Sequence, residues 1–450
     1  MTIGFDFGTA NCSVSHMING TVESIPLHGD NRYIPSTICA PTRESVSEYL
    51  FHFMNISPAT DVGEQLLSNA ISANRTEGIH LEREDLSFGE DALAAYLEDP
   101  EYTYYIKSPK SFLGTMGLRE AQLVFFEDIV CAMMSNVKSC VEAFLERPIT
   151  EAVIGRPINF HRLGGEASNQ QAENILQRAA ARAGFKAIEF QFEPVAAGLD
   201  YESTLTEEKN VLVVDIGGGT TDCSLIKMGP QYLNRLEREE TLLAHSGKMV
   251  GGNDIDIAIA FKRFMPEFGK GTNKRSGNQV PTSIFWDPIA INDVQAQREF
   301  YSQKNLRFLD ELRREAVNPE KLDRLISVHR KTLGHSIVRE AETSKIRLSS
   351  RVSHTATIDL LSEKLQVELQ QDEIEEAIAS PLRNIKALVK EAVDQAGIEP
   401  DVVYVTGGSA HSPIIRAAIQ SVLPNTPFVS GDYFGSVSAG LARWASLCFE

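Results

Sequence analysis

The fold of this chain is decided by the stretch VLVVDIGGGTTD at residues 211–222. A run of apolar residues that ends at a carboxylate predicts a buried strand. The three glycines let the following turn bring bare backbone N–H groups close to a ligand. An anion such as a phosphate fits this turn, and Asp215 and Asp222 beside it would hold a hydrated Mg²⁺. An ordinary tight hairpin is the alternative, but the strand, glycine triplet, hydroxyls and second acid together favour phosphate binding.

The same design occurs near the N-terminus, in the stretch IGFDFGTANCSV at residues 3–14. When two glycines are removed from the later loop, both stretches read acid-x-Gly-Thr-x-Asn/Asp-Cys-Ser. A short match also arises by chance, but the stretch VVYVTGGS at residues 402–409 is again a strand that runs into paired glycines. An apolar helical pattern follows it at residues 414–422. We therefore predict two related α/β lobes that each present a β-hairpin to a nucleotide between them.

Composition limits the classes of function that the chain can have. Its 450 residues can bury two substantial cores, and its net charge is −18. An acidic surface disfavours general binding to nucleic acids or anionic membranes. The six cysteines show no metal-ligand spacing and suit reduced thiols. Because we find neither a signal peptide nor an apolar run of the ~20 residues that a membrane helix needs, we expect a cytoplasmic protein.

Apolar spacing indicates several of the helices. It predicts helices at about 125–144, 167–183 and 382–396, the last two closed by a glycine. The polar residues 61–84 are expected to form a surface excursion. Residues 269–279 have the composition of a mobile loop.

The two hairpin stretches, the turn EPVAAG at residues 193–198 and the later GGS occur in an order that resembles the DnaK-type heat-shock chaperones. The resemblance is to their actin-like ATPase domain, and it covers almost the whole chain as ordered motifs. It implies an α/β protein with the actin-like, ribonuclease H-like fold. In that fold, two lobes each contain a mixed β-sheet flanked by helices, and a nucleotide cleft lies between them.

The resemblance also implies a division of the chain. Lobe I would comprise residues 1–208, with an insertion at about 38–123. Lobe II would comprise residues 209–427, with an insertion at about 255–352. The segment 428–450 would return to lobe I. Because the last strand–helix unit ends within a few residues of Glu450, we expect no peptide-binding domain.

The resemblance assigns binding roles to individual residues. Asp6 and Asp215 would hold Mg²⁺ through water, and Asp222 would support them. The residues expected to contact the phosphates of ATP or ADP are Gly8, Thr9, Asn11, Gly217, Gly218, Gly219, Thr220, Gly251 and Gly252. The residues expected to contact the adenosine are Glu342, Lys345, Ser349, Gly407, Gly408 and Ser409.

Three residues would carry the catalysis that the resemblance implies. Lys110 falls where the family places the lysine that neutralises developing charge and positions the attacking water. A solvated surface lysine is the alternative for Lys110, and Lys107 is a substitute if the register differs. Glu193 would orient the water, or would be a buried helix cap. Thr220 would help to arrange the reaction.

The sequence departs from the family pattern at a switch position. Pro157 matches the family's switch proline, which is thought to relay the nucleotide state to the outer surface. Glu173 stands where the accompanying arginine is expected. Either Arg156 or Arg162 serves in its place, or the relay is altered.

A second departure concerns the adenine. The family sandwiches the base between two arginines, whereas this chain has Ile346 and His411 at those positions. Neither side chain supplies the planar guanidinium stack, which contributes ~1 kcal/mol per contact. The hypothesis is a weaker affinity for ATP or a relaxed selectivity for the base; Arg347 could restore one stack.

The predicted function is that of an ATP-binding, slowly ATP-hydrolysing, chaperone-like protein whose lobes close on the nucleotide. Unidentified client proteins or cochaperones are its expected partners, with no nucleic acid and no membrane. A sugar-type small-molecule kinase is one alternative, with Asp200 or Glu193 as the base. A nucleotide-dependent filament or scaffold protein is another, and a nucleotide sensor with negligible turnover is a third.

Overall fold

The structure is a computed structural model that describes residues 2–160, 165–233 and 235–449. Its first half contains nine strands and six α-helices in the described residues. The strands are β1 (Thr2–Phe7), β2 (Asn11–Ile18), β3 (Thr21–Ser24), β4 (Tyr33–Pro35), β5 (Thr37–Ala40), β6 (Ser87–Phe88), β7 (Tyr104–Lys107), β8 (Glu151–Arg156) and β9 (Ala187–Phe192). The helices are α1 (Arg43–His52), α2 (Asp61–Glu77), α3 (Gly89–Glu98), α4 (Glu120–Leu145), α5 (Glu166–Arg182) and α6 (Glu193–Glu202).

The second half continues with strands and helices of the same kinds. The strands are β10 (Lys209–Ile216), β11 (Thr221–Met228), β12 (Leu242–Lys248), β13 (Ser353–Asp359), β14 (Lys364–Gln370), β15 (Val402–Thr406) and β16 (Phe428–Ser430). The helices are α7 (Gly252–Ile259), α8 (Val294–Phe300), α9 (Gln303–Glu315), α10 (Pro319–Arg330), α11 (Gly334–Leu348), α12 (Gln371–Ala377), α13 (Ala379–Ala396), α14 (Pro413–Gln420) and α15 (Ser436–Phe449). Helices α4, α5 and α13 confirm the three predicted from apolar spacing.

Two sheets of matching topology form the centre of the molecule. The first has the strand order β3-β2-β1-β8-β9, with β4 also paired to β2, and the second has the order β12-β11-β10-β15-β16. In each sheet a hairpin of antiparallel strands lies beside parallel strands: β1 pairs with β2 and β8, and β10 pairs with β11 and β15. The prediction of two related α/β lobes is confirmed.

The register of the second hairpin places two acids side by side. Asp215 at the end of β10 is paired with Asp222 at the start of β11, while Thr406 of β15 lies on the other side of Asp215. Since paired residues of neighbouring strands project to the same face of a sheet, both carboxylates reach the same site.

A small hydrophobic core joins the two sheets. It contains Val153 of β8, Val213 of β10, Ala197 of α6 and Leu441 of α15, all without exposed surface. Helix α15 therefore returns from the end of the chain to pack against α6 and β1, between the two larger cores. This small core fixes the base of the cleft between the sheets.

The polar stretch predicted as a surface excursion contains a regular helix, α2 (Asp61–Glu77). Leu67, Ala70 and Asn74 bury one face of this helix, and Gly78 ends it with a φ of 73°. Because the buried positions also include Gly63 and Asn74, the apolar period that would predict a helix is weak in the sequence.

The segment at residues 269–279, expected to be a mobile loop, is irregular in the structure. Asn273 bridges to Gln279 and Lys274 bridges to Ala316, so the segment is attached to its surroundings by backbone pairing. Its mobility stays a prediction. Among the helices of the described residues, none combines the length and the apolarity that crossing a membrane requires.

The contact between α15 and α6 gives a test of this fold. A Cβ added at Gly440 would lie 1.7 Å from the carbonyl oxygen of Ala196, so Gly440→Ala forces two helices apart. We expect this variant to lose about 3 kcal/mol of unfolding free energy, the upper end of the cost of overpacking. Chemical denaturation measures it, with Ala439→Ser as the neighbouring control. Equal stability of the two variants would contradict the packing.

Candidate nucleotide-binding site

The turns of the two hairpins lie directly against each other. A Cβ added at Gly218 would come within 2.6 Å of the Cβ of Ala10, and one added at Gly219 within 2.6 Å of the Cγ2 of Thr9. Only residues without a side chain allow this approach. The glycine triplet therefore brings the two hairpins together across the cleft.

The carbonyl oxygens of the second turn are bound by neighbouring elements. The N–H of Gly252 donates to Gly217 O at 3.0 Å, the N–H of Asn253 donates to Gly218 O at 2.7 Å, and the Ser409 hydroxyl donates to Gly217 O at 3.1 Å. In the described residues, no acceptor pairs with the N–H groups of Gly218 or Gly219. The turn thus keeps backbone donors for an anion.

The first turn is braced in a comparable way by a residue that sequence analysis missed. The hydroxyl of Ser36 donates to Gly8 O at 2.6 Å, and its N–H donates to Ala10 O at 2.8 Å. Ser36 in turn accepts at its carbonyl from the N–H of Ser108, which precedes Lys110 by two residues. The stretch around Ser36 carries no motif that would have singled it out.

Acidic side chains converge where the two hairpins meet. Burial, strengthened by the charge of Glu193, raises the pKa of Asp6. Burial and the charges of Glu193, Asp222 and Asp6 raise the pKa of Asp215 well above its usual value. Burial raises the pKa of Asp222 to about 7, although the Ile158 N–H and the Thr220 hydroxyl oppose the shift. These carboxylates repel one another in a site where water is scarce.

This arrangement fits a divalent cation. One carboxylate oxygen of Asp222 is buried without a hydrogen-bond partner among the described residues, and Lys110 is the basic residue whose charge acts on all three aspartates. A single lysine does not balance four neighbouring carboxylates. Within the described part of the chain, no three acidic, histidine or cysteine side chains are placed to ligate a metal directly.

Lys110 is buried, so the interpretation as a solvated surface lysine is wrong. Its ammonium lies 2.5 Å from Glu193 Oε1 and 3.0 Å from Gly155 O, and it is 3% exposed. Ser108, whose φ is 60°, begins the short 3₁₀ turn that points Lys110 inward. Glu193 opens helix α6 and is 8% exposed. The two residues form a buried ion pair directly beside the aspartates.

Helix α11 and Ser349, which caps its C-terminal end, carry the three residues predicted for one side of the adenosine. Glu342 forms an ion pair of 3.1 Å with Lys107, and Lys345 forms one of 2.7 Å with Asp256. The Ser349 hydroxyl donates to the carbonyl of Lys345 at 3.0 Å. Lys107 thus connects the two lobes and is not a substitute for Lys110. Sequence analysis gave no role to Asp256, the partner of Lys345.

The glycine turn on the other side is covered by an aromatic ring that sequence analysis also missed. A Cβ added at Gly408 would lie 2.5 Å from the ring of Phe434. His411 packs on Tyr433 with ring centroids 3.9 Å apart and lies 5.7 Å from Phe434. Ile346, at the other stacking position, is 62% exposed. Aromatic rings therefore line this wall, and the guanidinium of Arg416 donates to the Tyr433 hydroxyl at 3.2 Å.

The structure places Arg156, one of the two candidates for the missing arginine, beside Glu173. Arg156 forms an ion pair with Glu173, and its guanidinium lies 5.0 Å from the centre of the Phe192 ring. Arg156 is thus engaged with the residue that replaces the expected arginine. Arg162, the other candidate, lies outside the described residues.

Paired lobes with one topology, facing glycine hairpins and acid-tipped strands define the actin-like ATPase fold. The family model described as "Hsp70 protein" matches residues 104–279. The human heat shock 70 kDa protein 13 is 25% identical over 468 aligned residues, which cover 99% of this chain and 88% of that protein. The rat protein of the same name is 25% identical over 463 residues, with the same coverage.

A bacterial relative matches over a shorter length. Chaperone protein dnaK1 of Synechocystis sp. is 25% identical over 310 residues, which cover 67% of this chain and 35% of dnaK1. The match thus spans about a third of that chaperone. The chain is similar to Hsp70 heat-shock proteins, so the resemblance predicted from its motifs is confirmed. This relationship supports an ATP-binding, chaperone-like protein.

Alanine substitution at each of the three consecutive glycines tests the contact between the hairpins. Gly218→Ala and Gly219→Ala push a methyl group into the opposite hairpin, whereas at Gly217 the nearest atoms, on Thr220, are 3.7 and 3.9 Å from an added Cβ. We expect the first two variants to lose about 1–3 kcal/mol of unfolding free energy and Gly217→Ala to lose less than about 1 kcal/mol. Equal losses of unfolding free energy in all three variants would contradict the contact between the hairpins.

Proposed function

We propose that this protein binds Mg·ATP between its lobes and hydrolyses it slowly, as a chaperone-like ATPase. The observation that carries the proposal is the meeting of two glycine hairpins over a group of buried carboxylates and one buried lysine. Unpaired backbone N–H groups at Gly218 and Gly219 suit phosphate oxygens. The surplus of negative charge beneath them suits a hydrated divalent cation.

Each residue of the site has its own proposed role in hydrolysis. The hairpin residues would hold the phosphates, and Asp6, Asp215 and Asp222 would hold hydrated Mg²⁺, which neutralises charge on the phosphate oxygens. Glu193 would orient the attacking water, and Lys110 would stabilise the charge that develops on the transferred phosphoryl group. The Thr220 hydroxyl, beside Asp222, would complete the arrangement.

Lobe closure is the proposed output of the nucleotide cycle. The hairpins belong to different sheets, so a triphosphate bound by both would favour their approach. Loss of the γ-phosphate would remove contacts shared by the lobes and permit a rotation. Client proteins or cochaperones that sense this rotation are the proposed partners.

A sugar-type kinase fits the structure less well. Such an enzyme needs a free carboxylate to accept a proton from a substrate hydroxyl. Asp200 lies 3.5 Å from the guanidinium of Arg443, and Glu193 is paired with Lys110. Both candidate bases therefore already have a cationic partner.

Substitution of the buried pair separates catalysis from binding. Lys110→Met should lower single-turnover hydrolysis of Mg·ATP by about 100-fold, because it removes the group that stabilises developing charge. Affinity for ATP, measured by calorimetry, should change much less. Lys386→Met, on an exposed helix position, is the control. Hydrolysis equal to that of the parent would refute the assignment.

A double variant of Lys110 and Glu193 distinguishes a loss of catalysis from a loss of folding. Lys110→Met alone leaves Glu193 unpaired among other acids, which costs about 3 kcal/mol. Lys110→Met combined with Glu193→Gln removes both charges and should recover most of that stability while hydrolysis stays low. If hydrolysis returns together with stability, the pair is structural only.

The aromatic wall gives a prediction about the base. Since Ile346 and His411 supply no guanidinium stack, we expect ATP and GTP to bind with affinities less than about tenfold apart. His411→Arg should strengthen ATP binding by about fivefold, which corresponds to the ~1 kcal/mol of a cation–π contact. Calorimetry with both nucleotides measures this. A parent protein that binds ATP tightly and rejects GTP would contradict the interpretation.

A further inference from the structure

A cavity of about 1000 Å³ opens between the two lobes, apart from the glycine hairpins. One side is lined from α1, β7 and the start of α4, and the other from α8, α10 and α11. Its volume lies at the upper end of the range for small-molecule pockets. None of the described hairpin residues or cleft aspartates lines it, whereas Lys107, the partner of Glu342, does.

The interior of the cavity is apolar and aromatic. Tyr105 and Ile106 of lobe I are 9% and 8% exposed, and Tyr96 stacks on Tyr105 with ring centroids 4.6 Å apart. From the other lobe, Tyr301 and Leu306 complete the wall. Such a surface favours a ligand with an apolar body.

The mouth of the cavity is basic. Four exposed arginines line it, two from each lobe: Arg43, Arg119, Arg298 and Arg330. Among the described residues, no carboxylate forms an ion pair with any of them, and Glu101 is the one acidic residue of the lining. In a chain of net charge −18, this local excess of guanidinium groups selects an anion.

Two histidines contribute ring nitrogens without a hydrogen-bond partner to the interior. The Nδ1 atoms of His329 and His335 have no hydrogen-bond partner among the described residues. His329 is 7% exposed, and its Nε2 lies 3.2 Å from Ser302 O. Desolvation favours the neutral form of both rings and so lowers their pKa values. The two histidines therefore contribute neutral rings to the interior, and Lys107, which also lines the cavity, is paired with Glu342.

We propose that this cavity binds a small amphipathic anion, an acyl or aryl body that carries a carboxylate. The apolar body would lie against the tyrosines, and the carboxylate would bind the arginines. Because the arginines come from both lobes, the bound anion would connect the two insertions. The proposed binding of the anion does not require nucleotide, and the test is carried out without nucleotide.

Displacement of a fluorescent apolar anion tests the chemistry. Anilinonaphthalene sulfonate is bound to the full chain without nucleotide and displaced with decanoate or decanol, which differ only in the head group. We expect decanoate to compete at least tenfold more tightly than decanol. Equal competition by both, or tighter displacement by an acidic amphipathic peptide than by decanoate, would overturn the proposal.

Substitutions locate the site. The double variant Arg298→Gln/Arg330→Gln should abolish the preference for decanoate, whereas Arg307→Gln, on α9 outside the cavity, should retain it. Hydrogen exchange should show that decanoate protects residues 104–107 and 329–335 together in the parent. A preference that survives the double variant, or protection confined to other segments, would contradict this location.

Discussion

The mutual repulsion of buried carboxylates at one point is the constraint on which the rest of the structure depends. Asp6, Asp215, Asp222 and Glu193 share a site in which Lys110 is the compensating cation. Charges of like sign cost free energy in a poorly hydrated environment, and they separate unless the backbone holds them. The two sheets supply that restraint, because each aspartate sits at the end of a strand or the beginning of the next.

The same constraint explains why the lobes share a topology. A hairpin beside parallel strands places an acid at the strand end and a bare turn directly after it. Two copies facing each other bring Asp6 together with Asp215 and Asp222, and add a second set of backbone donors, without lengthening any element. The core that contains Val213 and Leu441 then fixes the distance between the sheets. Helix α6 begins in the same region, so the core also sets the position of its first residue, Glu193, in the site.

Sequence patterns predicted the parts of this site that depend on local structure. Strands that end in acids, glycine turns and amphipathic helices have periods and signals that are readable over a dozen residues. The burial of Lys110 was less accessible, since it follows from the left-handed conformation of Ser108 and from the distant Glu193. The contact of Phe434 with Gly408 joins segments that no pattern connects. Tertiary contacts of this kind leave no periodic trace in the sequence.

In the proposed nucleotide cycle, the balance between open and closed lobes would follow from the contacts outside the hairpins. Lys107 and Glu342 form a partly exposed ion pair, and such pairs contribute less than about 1 kcal/mol. The Tyr96 hydroxyl donates to Thr332 O at 2.6 Å, and hydrogen bonds of this kind contribute about 1 kcal/mol. Their sum is a few kcal/mol at most.

A ligand shifts such an equilibrium only by its difference in affinity for the two states, and a shift from mostly open to mostly closed needs about 5.5 kcal/mol. Lobe contacts as weak as these would therefore leave the balance within reach of one phosphate group, since several charge-assisted hydrogen bonds supply a difference of that size. The rings of Tyr96 and Tyr105 also pack edge-on against His335, with centroids 5.8 and 5.0 Å apart, and each such contact contributes about 1 kcal/mol. The proposed closure would thus act on polar and aromatic contacts that together contribute a few kcal/mol.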